Sequence, residues 1–126
     1  MGVFTKRVLF ANWNRSAVAE ADAIIDTGSH YCVVPESLAQ LLGLQIVGTD
    51  KIALADGREI EAPVAGLRIE LEGRVVFFTT LILPDPAEPI LGSQALITFR
   101  VGVEPNGEKL IPEVIRLLTM TGWRTI

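Results

Sequence analysis

Short apolar runs, each closed by a turn signal, recur along most of the chain. Val8 to Phe10, Ala17 to Ala21 and Ala23 to Ile25 predict strands, with polar Asn12-Trp13-Asn14-Arg15-Ser16 as the first turn. They make an N-terminal hairpin that runs into Asp26. Val33-Val34 is a β-branched piece, after which Pro35-Glu36 opens a helix. That helix sets Leu38, Leu41 and Leu42 on one face and stops at Gly43. Lys51 to Leu54 and Glu59 to Ala62 flank Ala55-Asp56-Gly57-Arg58, an Asp-Gly hairpin signal, since both residue types tolerate positive φ. Leu67, Ile69 and Leu71 alternate with charged residues and predict a half-exposed strand, whereas the run Val75 to Leu83 predicts a buried one. Pro84, Pro86 and Pro89 interrupt the pattern before Ile90-Leu91-Gly92 resumes it, and Ser93 to Leu96 predicts a second short helix. Val101 to Val103 and Lys109 to Ile111 bracket a Pro105-Asn106-Gly107 turn. The segment from Glu113 to Ile126 fits no element.

Many short strands separated by regular turns predict a mainly β sandwich or closed barrel with one or two short helices. The 126 residues suit one domain. We place it at residues 1–112, with 113–126 as a tail that contacts a dimer partner or fills a groove as a self-inhibiting strand. With 49% apolar and 21% charged residues, the chain is composed like an ordinary globular domain. Eleven basic against 15 acidic residues give a net charge of −4, and the basic ones are scattered. That disfavours a nucleic-acid or anionic-membrane surface. One cysteine, Cys32, and one histidine, His30, leave no set for a structural zinc, so no metal or organic cofactor is expected. The lone thiol suits a reducing compartment. The absence of a leader-like start or a long apolar span suits a cytoplasmic protein.

Asp26-Thr27-Gly28-Ser29 directly follows the apolar Ala23-Ile24-Ile25, so a carboxylate arrives at the end of a buried strand in a sharp glycine turn. In isolation such a tetrapeptide is an ordinary turn or Asx-turn. Here the run continues through Val33-Val34-Pro35 into the helix, with Ile90-Leu91-Gly92 far downstream and the Ala55-Asp56-Gly57 hairpin between. This order resembles the retropepsin-like aspartic proteases, especially their small prokaryotic single-domain members. The resemblance covers roughly residues 3 to 112.

That resemblance implies a closed acid-protease barrel acting as an aspartic endopeptidase on peptides or proteins. Asp26 would be the catalytic residue, and Thr27, Gly28 and Ser29 its loop. Ala55, Asp56 and Gly57 would form a flap over substrate, and Ile90, Leu91 and Gly92 would support the loop. Carboxyl catalysis needs one group to take a proton from water and another to give one to the carbonyl oxygen. The chain has one Asp-Thr-Gly, and Asp22, Asp50, Asp56 and Asp85 lie in other contexts, which implies a two-fold homodimer. Ser29 stands where retroviral members have alanine, and its hydroxyl is expected to donate to the ionised carboxylates. His30 and Ser93 replace the acidic residue and arginine of the retroviral pattern, so the interface is held differently. A thiol-protease reading of His30 with Cys32 lacks the third, orienting group. The rival class is a non-catalytic dimerisation or peptide-binding module on the same barrel.

Overall fold

The computed structural model describes residues 3–99, 101–103 and 110–112. Strands β1 (Val3–Ala11) and β2 (Val18–Asp26) pair antiparallel along their full length, from Val3 opposite Asp26 to Ala11 opposite Val18. The two segments expected between Ala17 and Ile25 are one strand. Asp22 does not break it, because its carboxylate faces outward to Arg7 at 3.4 Å. Asn12 builds the connecting turn, taking the Arg15 amide on its carbonyl and the Ala17 amide on its side chain.

β3 (Val33–Pro35) leads into α1 (Glu36–Leu42), followed by β4 (Ile46–Ala53), β5 (Glu59–Leu71) and β6 (Arg74–Leu83). β7 (Ile90–Leu91), α2 (Ser93–Phe99), β8 (Val101–Val103) and β9 (Leu110–Pro112) complete the order. Strands β1, β2, β7, β3, β6 and β5 are neighbours in that order, and β5 returns to β1 through Leu9–Ala11 opposite Arg68–Glu70. The ring therefore closes, as expected, and β4 hangs outside it on β5. Closure leaves the six ring strands without a free edge along those pairings. β8 and β9 pair with each other in a separate two-stranded sheet. The turn at Pro105-Asn106-Gly107 and the tail 113–126 lie outside the described residues.

Inside the ring, Val8, Phe10, Ile25, Leu67, Ile69 and Leu91 are fully buried, with Leu42 of α1 and Ala95 and Leu96 of α2 closing the same core. Each large side chain so enclosed contributes about 1.5–3 kcal/mol. Two expectations fail, each for a packing reason. In α1, Ala39 and Leu42 are buried and Leu38 half-buried, whereas Leu41 is 67% exposed. The buried stripe centres between positions 38, 39 and 42, and residue 41 falls to its side at 100° per residue. In β6 only Thr80 to Ile82 are enclosed, while Val75 and Phe77 are exposed. There β6 has left its outer face to solvent, and Phe77 is covered only by the stacked Trp13 ring at 5.0 Å and the Arg68 guanidinium at 5.4 Å. Trp13 in turn lies flat on Gly66, where a Cβ would collide with its ring.

β5 pairs with β6 only from Val64 onward, and its earlier residues pair with β4 alone. Pro63 sits at this fork, where a residue without an amide hydrogen leaves no ladder bond missing. Beyond the fork, the β4–β5 hairpin peels away from the barrel. None of the helices among the described residues is long and apolar enough to cross a membrane.

Phe10→Ala should lower stability by about 3–5 kcal/mol, the usual cost of a large cavity in a closed core. Urea unfolding of the two proteins, with the m-value checked for constancy, measures it.

Candidate active site

β2 ends at Asp26, half-buried beside the fully buried Ile25. The carboxylate folds back on its own turn, where Oδ1 accepts the Gly28 amide at 2.9 Å, and the Asp26 carbonyl accepts the Ser29 amide at 3.1 Å. Among the described residues, neither Oδ2 nor the Thr27 hydroxyl has a hydrogen-bond partner. Both remain available to a group from outside the chain.

The turn is fixed from below by a second segment. β7 runs parallel to β2, with Ile24 beside Ile90 and Ile25 beside Leu91, which delivers Gly92 under the loop. A Cβ on Gly92 would stand 2.5 Å from the carbonyl oxygens of both Ser29 and Tyr31. Only glycine permits that approach. The next two amides then reach the loop: Ser93 donates to the Ser29 carbonyl at 2.7 Å and Gln94 to the His30 carbonyl at 3.2 Å. The structure thus brings Asp26, Thr27, Gly28, Ser29, Ile90, Leu91 and Gly92 into one assembly.

The third expected group stands apart. Ala55, Asp56 and Gly57 form the exposed tip of the β4–β5 hairpin, built on the Gly57 amide donating to the Leu54 carbonyl at 2.9 Å. The hairpin lies where it was expected, although Asp56 does not use the positive φ it tolerates. Only Gly57 has a positive φ, at 89°, and Leu54 bonds back to Arg58 at 2.7 Å, giving a three-residue loop closed by glycine. Asp56 accepts both the Arg58 amide and its Nε, which holds its carboxyl below the usual carboxylate range.

The hairpin meets the loop through Ser29 and through neighbours the sequence did not assign to the site. A pocket of about 290 Å³ lies between them, lined by Ser29, Tyr31, Val33, Lys51, Ile52, Ala53 and Leu81. The legible signal was Ile52, an apolar residue between Lys51 and Ala53 on an otherwise exposed strand. Along the same face of the hairpin, where Ile60 is the cross-strand partner of Ile52, the fork opens into apolar slots of about 370 and 520 Å³ that share Ile60 and Pro84.

Ser29 departs from expectation. Its hydroxyl donates to the Tyr31 carbonyl at 3.2 Å, so its one hydrogen serves the loop rather than the Asp26 carboxylate. The Cys32 thiol is buried, and burial is the main cause that pushes it up to about 12, against smaller opposite pulls from Thr80 and the Val33 backbone. Such a thiol does not ionise near neutrality, and no nucleophile forms there. Among the described residues, no cluster of His, Cys, Asp and Glu is arranged to hold a metal ion.

A family model described as aspartyl protease matches residues 13–95. No curated protein matches the chain in sequence. Among solved structures, an EIAV protease complexed with the inhibitor HBY-793 superposes with a TM-score of 0.58 at 22% identity, over 75% of this chain and 85% of that one. The retroviral protease-like domain of Ddi1 from Leishmania major gives 0.58 at 14% identity over 91% and 96%. A retropepsin-like aspartic protease from Rickettsia conorii gives 0.52 at 17% identity over 82% and 88%. At these identities the structural likenesses speak for the fold.

Gly92→Ala should cost about 1–3 kcal/mol, because backbone atoms must move to admit the methyl group. Thermal unfolding set beside Ile82→Val tests whether the cost exceeds that of an ordinary core trim. Cys32 should resist iodoacetamide at pH 8 in the folded protein and react once unfolded in guanidinium, as mass spectrometry would record.

Proposed function

The chain belongs to the aspartyl protease family and is an aspartic endopeptidase; from that premise we propose that it works as a homodimer, with one Asp26 contributed by each copy. The observation that carries this reading is the state of the other aspartates. Asp22 lies four residues back along β2, about 13 Å from Asp26 at strand spacing, and faces Arg7. Asp56 is bound to Arg58 at the hairpin tip, and Asp85 to Ser37 at the start of α1. Asp50 is exposed on β4. None of these aspartates is paired with Asp26 among the described residues, which supports a second carboxyl supplied by another molecule.

Two such carboxyls facing across an axis hold a single proton between them, because both cannot ionise at close range. The ionised one takes a proton from a water molecule, whose oxygen bonds to the peptide carbonyl carbon. The protonated one gives its proton to the carbonyl oxygen. Collapse of the tetrahedral species breaks the C–N bond: the proton taken from water passes to the departing nitrogen, and one hydroxyl proton of the diol returns to the other carboxylate, which restores the shared proton. The Gly28 amide holds one carboxylate oxygen of each Asp26, leaving the other for water. Thr27, without a side-chain partner among the described residues, bonds across the axis in this reading and locks the two loops together.

The substrate runs as an extended strand between the loop and the hairpin, and the pocket of Ser29, Val33, Ile52 and Leu81 receives one of its side chains. Ala55, Asp56 and Gly57 cover it as a flap that opens for entry. The lone buried thiol supports a reducing, cytoplasmic setting for the enzyme.

Asp26→Asn should reduce cleavage of a mixed peptide library by about 10³-fold or more across pH 3 to 7 while leaving the dimer intact. Mass spectrometry of the products, with sedimentation of both proteins, reads the two properties separately. Cleavage by a monomer, or equal cleavage by the variant, would refute the shared dyad; a dimer in which neither protein cuts would favour the binding module.

A further inference from the structure

The loop from Pro84 to Pro89 is fastened at both ends to partners distant in sequence. At its start, Asp85 accepts the Ser37 backbone amide at 2.9 Å on Oδ1 and the Ser37 hydroxyl at 2.6 Å on Oδ2. The N-cap of α1 is Pro35, which makes no side-chain cap bond. Asp85 thus satisfies an amide that the helix start leaves open, from the far side of the sheet sequence. At the other end, the Pro89 carbonyl accepts the Ile24 amide at 2.9 Å, on the strand that carries Asp26. Between the fastenings, the Ala87 amide donates to the Pro84 carbonyl at 3.1 Å and rounds the loop.

This loop is a wall. Pro84 and Ala87 line the slot of about 370 Å³ whose opposite side is Leu54, Arg58 and Ile60 of the hairpin, with Leu83 also lining it. Pro84 also borders the 520 Å³ slot, together with Glu36 and Ala39 of α1. Asp85 directly follows Pro84, which borders both slots. The Ser37 hydroxyl and amide hold the Asp85 carboxyl below the usual carboxylate range, so the clamp survives mild acid.

We propose that Asp85 is a positioning residue for substrate selection: clamped to Ser37, it holds Pro84 and Ala87 against the hairpin so that the slot accepts one apolar side chain of the peptide. The assignment rests on the peptide-hydrolase reading above. Releasing the Asp85 end frees the slot wall, while the Pro89–Ile24 bond still holds the end nearest Asp26. Selection then weakens and chemistry does not.

The test compares wild type, Asp85→Ala, Asp85→Asn and Ser37→Ala on two peptide series that carry Leu or Ala at each position in turn. At one position, Asp85→Ala should raise KM for the Leu peptide about tenfold, the worth of a few apolar contacts, with kcat and the Ala-peptide KM unchanged. Ser37→Ala, which keeps the backbone bond, should give a smaller shift in the same direction. Asp85→Asn should recover most of the preference, because its amide oxygen still accepts the Ser37 amide. An unchanged Leu-to-Ala preference, or a uniform fall in kcat, overturns the proposal. Thermal melts identify a misfolded Asp85→Ala, and Ser37→Ala then decides the matter. Failure of the underlying reading has a different signature, since the wild type would cut neither series or Asp26→Asn would cut as well as it.

Discussion

Two backbones touch at Gly92, and the placement of Asp26 depends on that contact. The loop carbonyls of Ser29 and Tyr31 occupy the space where any side chain at position 92 would begin. Their closeness lets the amides of Ser93 and Gln94 hydrogen-bond to Ser29 and His30. Removed from this setting, the Asp26 turn is unexceptional: the bonds from Gly28 and Ser29 back to Asp26 would form in any Asx-turn. What makes it a site is that a strand of two residues, β7, is held parallel to β2 and pushes Gly92 beneath it. So short a strand does not form alone. It exists because β2 and β3 flank it on either side within a closed ring.

This dependence explains what was legible in the sequence. Alternation along Leu67, Ile69 and Leu71, the turn at Asn12 to Ser16 and the stop at Gly43 report local physics, and each lies where the pattern put it. Asp26 and Gly92 were found through an ordered set of motifs, since no local property marks a glycine that meets a remote carbonyl. The errors share a cause. Val75 to Leu83 is apolar enough for a buried strand, yet Val75 and Phe77 stay outside under one Trp13 ring rather than a second layer, while Val76 and Phe78 turn inward to the core. Leu41 was assigned to the core face, and the true stripe is shifted by one position toward Ala39. The pocket residues Tyr31, Lys51 and Ala53 had no signal, because they become neighbours only when the hairpin folds back from the fork at Pro63.

The molecule is accordingly divided in stability. Barrel strands bury their inward residues almost completely, whereas along β4 only Ile52 leaves solvent even in part. A small second cluster of Val33, Ala62 and Leu81 lies beneath the hairpin, with Ile52 and Leu83 packed against it. Segments with so few buried contacts open at low free energy. The flap proposed above is drawn from that end of the range. The fork confines the motion, because pairing with β6 resumes at Val64 and anchors everything beyond it.

The absent charges at His30 and Ser93 acquire a physical sense in the same geometry. Where the retroviral pattern has an acid and an arginine, this chain uses main-chain groups at the same two positions: the His30 carbonyl takes the Gln94 amide, and the Ser93 amide reaches Ser29. An ion pair near an acidic working range loses strength as its carboxylate takes a proton. Amide-to-carbonyl bonds do not titrate. Ser29 follows the same economy, its hydroxyl serving the Tyr31 carbonyl instead of a carboxylate. A loop supported in this way keeps its shape whatever the charge around it, which suits the catalytic role proposed for Asp26.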